Sequence, residues 1–276
     1  MGTARWFSVF REGFMAKVRV GPLDIGFHEK GSGKAIVFLH GVGSDISVWK
    51  RQLDYFSKEW RAVAIEYPGY GESDLPAKGL SREDLGRSLF GAMDCLGIVE
   101  AHIVGLSMGG VMALEMVRHQ PGRLRSLTLA NTFARHPNAM TILEGLHQDI
   151  STMTMFEFAK GRVDLILAPD ATEALKQEVI ETMAGIDKRT YYWSTTAVWT
   201  ADYRKDLPQI DRPVLIVIGE HDQLTPIALS EELAREIPGS RLQVIPKAGH
   251  LSNLDNPDFF NRIVSDFILS VDTKYL

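Results

Sequence analysis

Short apolar runs that alternate with helical patterns are the feature that most limits how this 276-residue chain can fold. Six runs rich in apolar residues occupy residues 34–39, 61–65, 101–106, 124–130, 213–218 and 241–245, and a further strand begins near Met15. Near-continuous apolar strands are typical of parallel sheets that helices cover on both faces. The alternation therefore predicts an α/β fold with a doubly wound, mostly parallel sheet.

Three helices are predicted from local signals. One covers Ser81–Cys95 and starts at a capping box formed by Ser81 and Asp84. The second covers Met108–His119 directly after a strand, and the third opens at Asn256-Pro257 and carries apolar residues at helical spacing.

One long interval, residues 132–206, lacks a strong strand pattern and is rich in Met, Phe, Trp and Tyr. A stretch of this length is too long for a plain loop, so we interpret it as a helical cap inserted into the sheet domain. The predicted organisation is therefore a core of residues 15–131 and 207–276, the cap at 132–206 and an N-terminal extension at 1–14.

Composition narrows the function classes. The formal net charge of −5 argues against a nucleic-acid partner, and no apolar stretch is long enough to predict a membrane span. The lone Cys95 excludes an intrachain disulfide and a CxxC motif. We expect a cytoplasmic protein that acts on a small molecule without a cofactor or metal, and either a monomer or a homodimer remains open.

The Gly-x-Ser-x-Gly sequence at residues 105–109 carries the main chemical prediction. It lies where a predicted strand ends and a helix begins, which is the context of a nucleophile elbow. The tight turn needs glycine at both outer positions, and it exposes the Ser107 hydroxyl beside the first amide of the helix. Ser107 is the predicted nucleophile.

A serine nucleophile needs a base and an acid that orients the base. His250 follows the last predicted strand in a glycine-containing loop, so it is the predicted base. Asp222 follows the preceding strand and is the predicted acid, with Glu220 as its competitor. Asn131, at the other strand end where an acid is found in such sheets, cannot carry the negative charge.

Two backbone amides are predicted to bind an oxyanion. Val42 follows the strand at 34–39 within the sequence His40-Gly-Val-Gly43, and Met108 follows the nucleophile. We expect His40 itself to be a structural hydrogen-bonding residue.

These motifs together resemble the α/β-hydrolase superfamily across residues 18–270. The resemblance rests on the sequences at residues 40–43, 67–74, 105–110, 219–222 and 249–250. Within the superfamily the chain is most similar to serine hydrolases of the carboxylesterase and 3-oxoadipate enol-lactonase branch. The resemblance implies hydrolysis of a small or medium ester or lactone through an acyl-enzyme on Ser107.

Other activities of this superfamily remain as alternatives. Meta-cleavage C–C hydrolases usually have Asn before the nucleophile and an aromatic residue after the base, where this chain has Leu106 and Leu251. Acyl transfer to another nucleophile, as in a perhydrolase, thioesterase or amidase, and a non-catalytic ligand receptor also stay open. In the predicted cap, Arg135, Trp193 and Trp199 are candidate substrate-binding residues, with Arg135 suited to a carboxylate.

Overall fold

The computed structural model describes residues 16–273, so the predicted extension at 1–14 lies outside the described residues. In the described chain, eight strands form one sheet in the order β1-β2-β4-β3-β5-β6-β7-β8. The strands are β1 (Ala16–Val20), β2 (Leu23–Lys30), β3 (Ala35–Leu39), β4 (Arg61–Ile65), β5 (Ala101–Leu106), β6 (Leu124–Ala130), β7 (Val214–Gly219) and β8 (Arg241–Ile245).

Strands β3 to β8 pair in parallel, whereas β2 pairs antiparallel with both β1 and β4. The predicted α/β class with a mostly parallel sheet is therefore confirmed. Every residue of β3, β5 and β7 is buried, as expected for strands covered on both faces. Strand β8 differs because it forms an edge of the sheet, and most of its residues are exposed or half-buried.

Helices cover the sheet and connect its parallel strands. They are α1 (Lys50–Phe56), α2 (Arg82–Cys95), α3 (Met108–His119), α4 (Ala139–Thr152), α5 (Met155–Ile166), α6 (Glu173–Ala184), α7 (Lys188–Trp199), α8 (Ile227–Glu236), α9 (Ser252–Asp255) and α10 (Pro257–Asp272). The capping box predicted for α2 is present, with Ser81 and Asp84 bonding each other's backbone amides. Asn256 caps α10 by accepting a hydrogen bond from the Phe259 amide.

Helices α4 to α7, here called the inserted helices, lie between β6 and β7 in the chain. Their entry and exit meet at one hydrogen bond, which the Tyr203 amide donates to the Ala134 carbonyl at 3.1 Å. Their buried faces join the core of the sheet domain through residues such as Leu146, Phe158 and Met183. The insertion thus leaves and returns to the sheet close to the carboxyl end of β6.

Candidate active site

Ser107 occupies a strained backbone conformation between β5 and α3, with φ 56° and ψ −113°. A Cβ atom at Gly105 would overlap the Gly109 backbone, and a Cβ at Gly109 would overlap the Leu39 carbonyl. Both glycines are therefore required by close backbone approach. The Ser107 amide donates to the Ala130 carbonyl at 2.8 Å, which anchors the turn on β6. This geometry exposes a serine side chain at the start of a helix.

His250 and Asp222 form a buried pair at the carboxyl ends of β8 and β7. The distance from His250 Nδ1 to Asp222 Oδ2 is 2.9 Å. Because Nδ1 is engaged by the carboxylate, Nε2 is the ring nitrogen available for chemistry in the pocket that His250 lines together with Ser107.

A dense set of donors surrounds the Asp222 carboxylate. Oδ1 accepts from the Leu224 and Thr225 amides, and Oδ2 accepts from the Thr225 hydroxyl and from Asn131 Nδ2 at 2.8 Å. Burial by itself would raise the pKa of Asp222. The His250 charge and the hydrogen bonds from His250, Thr225 and Asn131 outweigh burial and lower the pKa to about 2. The carboxylate is thus held ionised beside the imidazole.

The competing acid, Glu220, does not contact His250. Its side chain is about half exposed and accepts a hydrogen bond from the Lys247 amide at 2.9 Å. The structure therefore brings Asp222, and not Glu220, against His250.

The loop after β3 lies against the nucleophile. A Cβ added at Gly41 would be 3.3 Å from the Ser107 Cβ, and Val42 lines the same pocket. The Tyr70 hydroxyl fixes this loop by donating to the Val42 carbonyl at 3.0 Å. Met108 is the first residue of α3, where amide groups have no acceptor within the helix. The Val42 and Met108 amides, which the sequence predicts as oxyanion donors, therefore lie in backbone segments next to Ser107.

His40 begins this loop and is fully buried. Its Nδ1 lies 2.8 Å from the Gly41 carbonyl, and burial lowers its pKa to about 4. A neutral, backbone-bonded imidazole agrees with the structural role expected for it.

The pocket above Ser107 encloses about 650 Å³ of atom-free space, part of it open to solvent. The sheet domain contributes Gly41, Val42, Ser107 and His250. The apolar wall includes Phe133, Leu146, Ile166, Met183, Val198 and Trp199.

The structure brings only one of the three predicted cap residues to this pocket. Trp199 lines it. Trp193 instead packs close to Gly79, and Arg135 is exposed with its Nε 3.8 Å from an Asp202 carboxylate oxygen. Arg135 therefore lies outside the pocket, beside a carboxylate of its own chain.

Sequence reasoning missed two residues of this site. Asn131 bonds Asp222 and also accepts from the Ser252 hydroxyl at 2.6 Å. Its φ of 49° at the end of β6 is a conformation that asparagine tolerates well, which is the signal that the sequence offered. Arg162 of α5 lines the pocket, and no sequence motif marks it.

A carboxylate joins the inserted helices to the His250 loop. Asp255 Oδ2 accepts from the Gly249 amide at 2.8 Å and from the Ala168 amide at 3.0 Å. The His250 amide in turn donates to the Ile166 carbonyl at 2.7 Å. Burial raises the pKa of Asp255 to about 6 despite the two amide donors.

Residues 16–273 lack two kinds of feature. Nowhere in this range do three or more His, Cys, Asp or Glu side chains come together in a way that would hold a metal ion. None of the helices described there has both the length and the apolar character needed to cross a membrane.

Most of the chain matches a known protein family. The model of the alpha/beta hydrolase family matches residues 36–263. A 3-oxoadipate enol-lactonase of Acinetobacter baylyi is 30% identical over 244 residues, which cover 86% of this chain and 89% of that protein.

Two further similarities extend over nearly all of the chain. A 2-hydroxy-6-oxononadienedioate/2-hydroxy-6-oxononatrienedioate hydrolase of Burkholderia vietnamiensis is 29% identical and covers 96% of both chains. The crystal structure of an enol-lactonase from Burkholderia xenovorans superimposes with a TM-score of 0.87 at 28% identity, covering 92% of this chain and all of that one.

Proposed function

Because the chain belongs to the alpha/beta hydrolase family and is a hydrolase enzyme of that type, we propose that it cleaves a small or medium carboxylic ester or lactone through an acyl-enzyme on Ser107. One observation carries this proposal. Ser107 sits at a strained turn in the same pocket as His250, whose other ring nitrogen is bonded to an ionised Asp222. Nucleophile, base and acid are the three parts that acyl transfer by serine needs.

In the proposed first step, Ser107 Oγ attacks the carbonyl carbon while His250 Nε2 accepts the hydroxyl proton. Asp222 fixes the imidazole orientation and stabilises the imidazolium. The Val42 and Met108 amides donate to the oxyanion, and each such donor lowers the barrier by about 3 kcal/mol in comparable sites. When the tetrahedral intermediate collapses, the alcohol oxygen leaves and takes the proton from His250.

In the second step, water attacks the acyl carbon of the Ser107 ester. His250 accepts a proton from that water and then returns it to Ser107 Oγ as the acid is released. For a lactone, the alcohol stays attached to the acyl group, so one hydroxy acid or its keto form leaves. The proposal requires no cofactor.

Residues 132–206 are proposed to act as the cap that determines which acyl group enters. Support comes from the apolar side chains that the inserted helices and their entry contribute to the pocket, among them Phe133, Leu146, Met183 and Trp199. Methionine adapts to varied shapes, so an unbranched or flexible acyl group suits this wall.

Steady-state hydrolysis of p-nitrophenyl acetate, butyrate and octanoate tests the mechanism. We expect turnover by the wild-type protein and a loss on the order of 10⁴-fold in the Ser107→Ala variant. Ser151→Ala is the matched control, since Ser151 is exposed on α4 and bonds only its own helix. An inactive wild-type enzyme, or a Ser107→Ala variant of comparable activity, contradicts the proposal.

Hydrolysis of a C–C bond is a second candidate, and the Burkholderia vietnamiensis relative favours it. Leu106 and Leu251 argue against it, since C–C hydrolases of the superfamily usually carry Asn and an aromatic residue at these places. A panel of vinylogous 1,5-diketones distinguishes the two, because an esterase turns over the p-nitrophenyl esters and leaves the diketones intact. Adding hydroxylamine, a thiol or peroxide to the ester assay reveals acyl transfer to a nucleophile other than water.

A further inference from the structure

Arg162 places a positive charge in the pocket that holds Ser107. It lies on α5, and its side chain is one of the pocket walls. The guanidinium Nε is buried without a hydrogen-bond partner. In the described part of the chain, no carboxylate oxygen lies within the 4.0 Å of an ion pair with Arg162.

Two other partly buried arginines are neutralised by carboxylates. Arg61 forms two hydrogen bonds to the Glu29 carboxylate at 2.9 and 2.8 Å, and Arg125 bonds Asp272 at 3.0 Å. Arg162 has an aromatic neighbour instead, with its Cζ 5.3 Å from the Phe158 ring centre. A ring face attracts a guanidinium but leaves its charge and its in-plane donors free.

The Arg162 charge acts on the groups around it. Burial raises the pKa of Tyr191, the Arg162 charge opposes that rise, and the Asp149 charge adds to it. Apolar side chains make up much of the remaining wall, and Arg162 itself is half-buried. An uncompensated charge in such a place is costly, and a bound anion offsets the cost.

We infer that Arg162 binds a free carboxylate of the substrate, so that the preferred substrate is an ester or lactone bearing a second, ionised carboxyl group. The inference rests on the proposed function, since the ester carbonyl must lie at Ser107 while the carboxylate lies at Arg162. The planar fork of arginine suits a carboxylate, which accepts two parallel N–H bonds. Arg162 thereby takes the role that the sequence suggested for Arg135.

A matched pair of esters tests the inference. Mono-p-nitrophenyl glutarate carries the carboxylate, and its methyl ester is a neutral compound of nearly the same shape. We expect the wild-type enzyme to prefer the anionic ester by about tenfold or more in kcat/KM. In the Arg162→Met variant that preference should vanish, mainly through a higher KM for the anionic ester, while the neutral ester changes by less than about threefold.

Arg135→Met is the control, because it removes an exposed arginine outside the pocket and should leave the preference intact. Binding of free glutarate, measured by isothermal titration calorimetry, gives a second readout that needs no turnover. We expect its dissociation constant to rise at least about tenfold in Arg162→Met and to be unchanged in Arg135→Met.

The two proposals fail in different ways. If Ser107→Ala abolishes hydrolysis of the neutral ester but the wild-type enzyme shows no preference for the anionic one, the mechanism stands and the role of Arg162 is wrong. Equal losses on both esters in a folded Arg162→Met variant also overturn the inference. If the neutral ester is not hydrolysed at all, the proposed function itself fails, whereas a glutarate effect confined to Arg162→Met would still support anion binding.

Discussion

At the scale of single residues, Asn131 supports the acid of the proposed mechanism. Its amide nitrogen bonds the Asp222 carboxylate, and its amide oxygen accepts from the Ser252 hydroxyl. From the sequence, this position could be assessed only as a place for a charged acid, which asparagine cannot supply. Its hydrogen bonds depend on three segments far apart in the chain, so no local pattern reveals them.

Replacing Asn131 with glycine isolates the side-chain contribution, because glycine accepts the φ of 49° without strain. Loss of the donor makes Asp222 a stronger acceptor and lets the Asp222–His250 pair bind its proton more readily. We expect kcat/KM for p-nitrophenyl butyrate to fall about tenfold, and the acidic limb of its pH profile to move to higher pH.

The matched control is Asn138→Gly, in which an exposed asparagine with no capping side-chain bond is removed. It should leave both the rate and the profile unchanged. An acidic limb that stays in place in Asn131→Gly would show that Asn131 does not tune the pair.

At the scale of elements, the sequence predicted the strands that carry the site, because their apolar runs are buried on both faces. Strand β2 was not recognised as separate, since Leu23–Lys30 mixes apolar residues with Asp24, His28, Glu29 and Lys30. Its pairing is antiparallel and most of its residues are only half-buried, so the apolar-run signal is absent there. Polar strands of this kind gain their structure mainly from the strands they pair with rather than from their own sequence.

The contact between α3 and β3 yields a prediction about Gly109. A Cβ there overlaps the Leu39 carbonyl, so Gly109→Ala must push α3 away from β3. We expect a loss of about 2–3 kcal/mol in the free energy of unfolding and a strong loss of ester hydrolysis. Urea unfolding of the purified variant measures the first effect.

Gly145→Ala is the comparison for that experiment, since Gly145 is also helical but has open space at its Cβ position. It should stabilise the protein by about 0.5–1 kcal/mol. Equal stabilities for the Gly109 and Gly145 variants would contradict the close-approach explanation.

The tether between the inserted helices and the His250 loop yields a second prediction at this scale. Asp255→Ala leaves the Gly249 and Ala168 amides without their acceptor, so we expect a loss of about 2–4 kcal/mol of unfolding free energy. Asp255→Asn keeps one carbonyl oxygen for both amides and should stay close to the wild-type stability. If thermal unfolding shows the two variants to be equally destabilised, the charge matters and the acceptor role is wrong.

At the scale of the whole molecule, buried carboxyl groups affect how stability depends on pH. Burial raises the pKa of Glu66 to about 7 from a reference value of 4.5, despite hydrogen bonds from the Glu72 and Ser73 amides. The folded state therefore holds a proton at Glu66 that the unfolded state releases between these two pH values. Since the folded pKa of this acid is raised, the free energy of unfolding falls as pH rises through that window.

Glu66→Gln removes this titration while keeping the side chain's size. Relative to the wild-type protein, we expect the variant to gain about 2 kcal/mol between pH 4.5 and 7.5, allowing for the part of the charge that water screens. Urea unfolding at a series of pH values measures the difference. Glu59→Gln, at an exposed position, should show no such trend, and a Glu66→Gln curve parallel to the wild-type curve would contradict the prediction.

The sequence predicted the groups at strand ends better than it predicted the pocket. Ser107, Asp222 and His250 follow strands whose pairing places their ends at one edge, so position in the chain largely determines position in the sheet. The side chains from residues 132–206 have no such constraint. Whether Arg135 or Arg162 faces the pocket depends on how four helices pack, and local composition carries little information about that packing.

The hydrogen bond between Tyr203 and Ala134 bears on how the sequence of the insertion can change in evolution. It holds the two ends of the insertion together, so the chain enters and leaves the inserted helices at neighbouring points. The proposed nucleophile, base, acid and oxyanion donors all lie outside the insertion. We therefore expect mutations, insertions or exchanges within the insertion to change which substrates bind while the proposed catalytic residues stay in place. The relatives at about 30% identity have names that describe lactone and dienedioate hydrolysis, as expected if the inserted residues diverge while the residues at the strand ends are kept.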